Sequence, residues 1–276
     1  MKSLLRVIFS ICFAAGVFLL GANVVGLSRS LRSPAVYTDH SPGRRSAAIT
    51  EQQFYSRIDT FNGDRQAYFK TLTRAINDAI AHDWEDAGID RLHMRIPFTE
   101  NYLLYVASYV YPRLYRKYEY MNYRKAVERG VGLCSQCAII EVEVLKRMGI
   151  RAHVVSLHEH VVAEGEVDPT THEWWLLDPD FGVTVPHDVA TIAADTSLIR
   201  PYYIAGGRDP ELVSRLQAIF ANQPRTVFEG DGATPYSPTK KMIEQLSYVF
   251  IWIIPVVLML PLAVQIYRRR RPAAGG

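Results

Sequence analysis

Cys134 lies in the run Gly132-Leu133-Cys134-Ser135-Gln136-Cys137-Ala138, where a loop gives way to an amphipathic stretch. His160 and Asp178 follow it, each on a short strand-like segment. A thiol at a helix start, then an imidazole, then a carboxylate, is the layout of a nucleophile with its base and an orienting acid. The thiolate is the attacking form, and its pKa falls at a helix N-terminus and beside a protonated imidazole. The first-turn N–H groups, which have no partner within the helix, can donate to the oxyanion of a tetrahedral intermediate. In this scheme Asp178 holds the imidazole tautomer and His160 takes the thiol proton.

Other assignments compete for these residues. His158 is a rival base two positions before His160, and Asp180 is a rival acid two positions after Asp178. Cys134 and Cys137 form a CxxC pair, a spacing also used for thiol–disulfide exchange. A thioredoxin-like unit, however, wants a strand before the pair, and the segment preceding Cys134 reads as helical. Cys134, Cys137, His158 and His160 could also hold zinc, although His-x-His departs from the usual finger spacing. In an oxidising compartment a Cys134–Cys137 disulfide would switch the nucleophile off. Singly, each residue has a plainer role: a buried small hydrophobe, a satisfied core histidine, a turn cap.

The elements that must position them follow from periodicity. Ala138, Ile139, Val142, Leu145 and Met148 recur at helical spacing, with Glu143, Lys146 and Arg147 mostly opposite, and Gly149 closes the helix. Ala152–Leu157, His160–Val167 and Glu173–Asp178 read as strands. Asp168-Pro169-Thr170-Thr171-His172 is a turn, so an antiparallel hairpin brings His160 and Asp178 to neighbouring strand ends. Pro179 stops the last strand.

With these elements in place the chain resembles the transglutaminase-like superfamily, within the papain-like fold. Gly132, Cys134 and Ala138 match its nucleophile helix, and Gly149, Ile150, Arg151 and Ala152 match the turn that follows. His160 and Glu164 match the histidine strand, and Trp174, Asp178 and Pro179 the tryptophan-rich strand ending in Asp-Pro. Val162 stands where the family often has an aromatic residue, and Asp180 where threonine often follows the proline; both would alter the substrate pocket. The resemblance covers residues 100–190. It favours His160 over His158, and implies a Cys134-His160-Asp178 triad working through a thioester that ends in hydrolysis or in transfer to an amine. The implied fold is α+β, a nucleophile helix packed on an antiparallel sheet, flanked by two transmembrane helices. No cofactor is expected.

Val7–Leu27 and Leu246–Tyr267 are uncharged runs of 21 and 22 residues, long enough to cross a bilayer. Pro255 and Pro261 fall within the second, where membrane helices tolerate proline. Arg268, Arg269, Arg270 and Arg271 follow it directly, which places the C-terminus in the cytoplasm. Two spans then put the N-terminus there as well, and residues 28–245 outside. The expected location is a bacterial inner membrane, with the active domain periplasmic or otherwise extracytoplasmic.

The expected order is an anchor at 1–28, a Ser/Pro/Gly/Arg linker at 29–50, a transglutaminase-like domain at 51–225, a tether at 226–245, a second span at 246–267 and a basic tail at 268–276. Within the domain, 51–82 and 99–115 read as helices. Tyr102, Tyr105, Tyr109 and Tyr111 make the latter aromatic enough to expect packing against the sheet. A further strand is expected in 181–189 and a peripheral helix in 210–222. Net charge is only +3, with much of the excess beside the second span, which suits lipid head groups rather than nucleic acid. The expected partners are a peptide or peptide-bearing polymer of the cell envelope and the membrane itself; the sequence names no protein partner.

Overall fold

The computed structural model describes residues 2–38, 45–83, 85–222 and 224–270. Parts of the expected linker (39–44) and of the basic tail, Arg271 included, lie outside the described residues. In chain order the elements are α1 (Lys2–Leu27), α2 (Glu51–Ile58), α3 (Arg65–Ala79), β1 (Ala81–His82), α4 (Tyr102–Val110), α5 (Pro112–Tyr115), α6 (Tyr123–Arg129), β2 (Val131–Gly132) and α7 (Cys134–Arg147). They continue with β3 (Ala152–Ser156), β4 (Val161–Asp168), β5 (Glu173–Asp178), β6 (Val183–Val185), α8 (Val189–Ala194), α9 (Arg200–Ala205), α10 (Pro210–Ala221), β7 (Thr226–Phe228) and α11 (Pro238–Arg270). The chain is α+β.

Two compact units divide it: Met1–Leu31 with Arg95–Arg116 and Met242–Gly276, and Arg32–Met94 with Lys117–Lys241. In the first, α1 and α11 are both long and apolar enough to cross a membrane. They meet closely: a Cβ on Gly16 would lie 2.6 Å from the Pro255 carbonyl oxygen. The buried Asn23 amide donates to the Ile251 carbonyl at 2.6 Å. Small residues at a crossing and an interhelical hydrogen bond are what hold helices together where no hydrophobic drive separates them from lipid.

The second unit is built on a five-stranded antiparallel sheet in the order β6-β5-β4-β3-β7. The register pairs Ala163 with Leu177 and Gly165 with Trp175 on one face, against which α7 and α3 pack. The opposite face carries Val155, Val162, Leu176 and Val185, buried with Ile192, Tyr203, Val213 and Phe220 of the helices that follow β6. A sheet buried on both faces leaves only strand ends and edges for chemistry. Arg32 clamps the unit from below α6, donating to the carbonyls of Val127 at 3.1 Å, Ile49 at 3.1 Å and Ala79 at 2.5 Å.

Several elements differ from expectation for local reasons. The helix expected over 51–82 is two, because Asp59 closes α2 and the Asp64 side chain caps α3 through the Ala67 N–H. The helix expected over 99–115 starts at Tyr102, capped by Asn101, and breaks at Tyr111, which precedes Pro112 and is barred from helical geometry. Its tyrosines belong to the compact unit of α1 and α11, not to that of the sheet. Tyr102 donates to the Ile251 carbonyl at 3.2 Å, while Tyr109 and Tyr111 are exposed. The strand expected in 181–189 shrinks to β6, and α8 begins at Val189 with Asp188 as its cap. Much of the expected tether is structured: β7 extends the sheet, Gly232 donates to the Ala152 carbonyl at 3.0 Å, and α11 starts at Pro238.

Gly165 marks a close approach between the sheet and α3. A Cβ there would sit 2.8 Å from the Phe69 ring and 3.0 Å from Leu177. Gly165→Val is therefore expected to cost about 1–3 kcal/mol through overpacking. Thermal unfolding of the full chain in detergent should show a lower midpoint, and an unchanged midpoint would contradict this packing.

Candidate active site

Cys134 opens α7. Leu133 at the cap position is extended and provides no side-chain acceptor, so no side-chain cap covers the first-turn N–H groups. Two devices fix the approach to it. β2 pairs in parallel with β1, Val131 opposite Ala81 and Gly132 opposite His82. Gln136 then locks the turn to a neighbouring loop, its amide donating to the Tyr120 carbonyl at 2.9 Å while its oxygen accepts from the Tyr120 N–H at 2.7 Å. A Cβ on Gly132 would lie 2.5 Å from the Gln136 Cβ, so the glycine is a packing requirement. Arg129, fully buried, donates to the Tyr118 carbonyl, to the Val131 carbonyl at 2.9 Å and to the Gln136 oxygen at 3.2 Å.

His160 sits just before β4 and Asp178 ends β5, so the hairpin brings them together. The His160 Nε2 lies 2.8 Å from the Asp178 Oδ2. Asp178 has no exposed surface and also accepts from the Tyr203 hydroxyl at 2.5 Å and the Phe181 N–H at 3.3 Å. Nε2 is turned to the carboxylate, and a side-chain hydrogen bond with Cys134 adds to the forces on the same imidazole. Burial alone would pull His160 down. The charge and hydrogen bond of Asp178, with a contribution from Cys134, outweigh it and hold the imidazole well above its ordinary value. Tyr203 is pushed up by burial and by the same carboxylate.

The rival residues are placed elsewhere. His158 is exposed in the turn before β4. Asp180 is buried but serves His82, whose Nδ1 lies 2.8 Å from its Oδ1, and Arg45, at 3.6 Å. Burial would raise its carboxyl, but His82, Arg45 and His160 outweigh that and lower it. Cys137 is buried inside α7, its thiol pushed up first by desolvation and then by Asp180. All three cysteines are free thiols. Among the described residues no three His, Cys, Asp or Glu side chains are grouped to hold a metal ion.

The two residues expected to alter a substrate pocket, Val162 and Asp180, do other work, Asp180 holding His82 and Arg45. Val162 is core, packed with Val155 and Leu176. Glu164 pairs with the His153 Nε2 at 2.7 Å and accepts from the Val189 N–H at 2.5 Å, tying β4 to β3 and to α8. A cavity of about 500 Å³ on that face, lined by Arg151, His153, Glu164, Trp174 and Arg225 among others, contains none of Cys134, His160 and Asp178.

Tyr203, Gln136 and Arg129 carry no motif and were not singled out from sequence. The same holds for the segment beyond β7. Ser135 donates to Glu119, which pairs with Lys240 at 3.3 Å. Tyr236 has its hydroxyl pushed up by burial, then by Glu119 and Cys134. Its ring stacks edge-on with Phe228 at 4.9 Å. No family model matches the chain, and no curated protein or solved structure matches it either.

Two expectations follow. Tyr203→Phe removes a donor to a buried carboxylate and should cost about 1.5–3 kcal/mol, read as a lower thermal midpoint. The raised His160 pKa means that the imidazole adds stability fully present below its ordinary value of 6.5 and lost as pH rises through the raised folded-state value. The gap in midpoint between wild type and His160→Gln should be widest below pH 6.5 and narrow toward alkaline pH. A gap that widens with pH would refute the charge assignment.

Proposed function

We propose that this chain is a membrane-anchored thiol enzyme of the transglutaminase-like kind, with Cys134 as nucleophile, His160 as general base and Asp178 as orienting acid. The observation that carries it is the buried His160–Asp178 pair, with the thiol at the start of α7 within reach of the same imidazole. The order and spacing of the residues that resemble that superfamily point the same way, as does a helix packed over an antiparallel sheet.

The reaction is attack on an amide or ester carbonyl. With the proton of the thiol–imidazole pair carried on His160, the Cys134 sulfur adds to the carbonyl carbon, and the oxygen takes up the negative charge beside the α7 first-turn N–H groups. His160 returns the proton to the leaving amine or alcohol as the C–N or C–O bond breaks, leaving a thioester. Water then adds to the thioester with His160 again as base, the C–S bond breaks, and the carboxylic acid departs. Asp178 keeps its charge throughout and stabilises the imidazolium. Hydrolysis is preferred over transfer because water is the default acceptor.

The substrate is a peptide or a peptide-bearing polymer of the cell envelope. α1 and α11 span a bacterial cytoplasmic membrane with both termini in the cytoplasm, leaving the sheet-based unit outside. Arg268 and Arg269, next to the end of α11, support this orientation.

The test is alkylation by iodoacetamide at neutral pH, followed by mass spectrometry of the full chain in detergent. Cys134 should react ahead of Cys12 and Cys137, and His160→Ala should slow it by about 100-fold or more. Slow labelling indifferent to His160 would sink the catalytic proposal and favour a module that only binds envelope components. Cys137→Ala should leave Cys134 labelling intact; if it abolished labelling as His160→Ala does, the CxxC redox scheme would replace this one.

A further inference from the structure

The segment Arg95–Arg116 departs from the sheet-based unit and returns to it, yet belongs to the compact unit of α1 and α11. From Asn101 to Pro112 it carries no charged residue. It is far too short to cross a bilayer, which takes roughly 20 residues. Its irregular first part is matched in detail by both long helices. The Phe98 ring lies 6.0 Å from that of Phe18, and a Cβ on Gly26 would sit 2.0 Å from the Thr99 carbonyl oxygen. Asn101 donates to the Ser247 hydroxyl at 2.9 Å, and Tyr248 donates to the Glu100 carboxylate at 2.6 Å. Non-helical backbone survives at membrane depth only where it is buried in protein or lines a water-filled cavity.

The depth follows from α1. About 14 Å of helix separates Phe18 from Leu27 at 1.5 Å per residue, roughly half of a 30 Å hydrocarbon core. Phe98 therefore meets α1 well inside its apolar run. The other side of the segment faces away from protein: Val106, Tyr109, Val110, Tyr111 and Leu114 are between 52% and 64% exposed. α1 and α11 of the same compact unit also expose apolar side chains, Phe18 and Val249 among them. Tyrosines crowd the exposed side of the segment, as they do at membrane–water interfaces, and Arg113 and Arg116 follow with stems long enough to carry their charges back to the head groups.

We propose that residues 95–116 form a third membrane element, entering and leaving by the extracytoplasmic leaflet, with acyl chains against Val106, Val110 and Leu114. This rests on α1 and α11 crossing the bilayer, and the test separates the two ideas. Single cysteines replace Val110, Leu114, Val256 of α11 or the exposed Arg215 of α10, in the full chain carrying Cys12→Ser and Cys134→Ser; Cys137 is fully buried and should remain unlabelled. Each is labelled with an NBD maleimide in detergent and reconstituted into phosphatidylcholine–phosphatidylglycerol vesicles. Emission is read with nitroxide-bearing acyl chains and with aqueous iodide. Probes at positions 110, 114 and 256 should shift to the blue, lose emission to nitroxide lipid and resist iodide, while the probe at 215 behaves oppositely. If 256 meets lipid but 110 and 114 are quenched by iodide, or are shielded from both quenchers as under a partner protein or second copy, the third element is wrong and the spans stand. If 256 is itself quenched by iodide, the membrane reading fails and the proposal falls with it.

Discussion

A carboxylate with no exposed surface governs the second unit. Asp178 ends β5 at the point where the chain turns toward β6, and desolvation on this scale is tolerable only when the charge is met from several sides. His160 meets it from the neighbouring strand end, Tyr203 from α9 and the Phe181 N–H from its own turn. Each partner belongs to a different stretch of chain, so the hairpin, the helices beyond β6 and the imbalance of charge around His160 are all conditions for the same anion to exist. The raised imidazole pKa is the counterpart of that arrangement: once Asp178 is charged and buried, the cheapest way to neutralise it is to keep a proton on its neighbour.

The same logic repeats beside it with other partners. Asp180, also buried, holds His82 and Arg45, so two carboxylates two residues apart serve two separate imidazoles. The segregation follows from the hairpin geometry, because Asp178 ends a strand while Asp180 lies in the turn and faces β1. A second carboxylate on His160 would have pushed like charges together in a medium that screens them poorly.

What sequence made legible was local and periodic. α7 was readable from its apolar spacing and from Gly149, and the β4–β5 hairpin from its turn residues, so the neighbourhood of Cys134, His160 and Asp178 could be named before any coordinates. Tyr203 could not, because nothing in the local pattern of Pro201-Tyr202-Tyr203 shows that its hydroxyl turns to a strand end 25 residues earlier. Gln136 and Arg129 were hidden for the same reason: their partners are backbone groups of another loop. The tyrosines of α4 misled in a different way. Aromatic periodicity signals an apolar neighbour without saying whether it is a sheet or two apolar helices. Gly, Pro and Ser around 230–238 suggested slack, whereas hydrogen bonds to Ala152 and Glu143 hold that stretch down.

Arg129 gives the nucleophile loop a character that no contact with substrate would reveal. One guanidinium, sealed from solvent, joins the Tyr118 carbonyl, the Val131 carbonyl and the Gln136 side chain. A permanent cation cannot shed its proton to escape the interior, so releasing any one of the three oxygens exposes the cost of the whole cluster. Fraying at the beginning of α7 is thereby denied small steps. The loop stays shut or opens wholesale, and thermal agitation too weak to uproot the guanidinium leaves the sulfur where the fold put it.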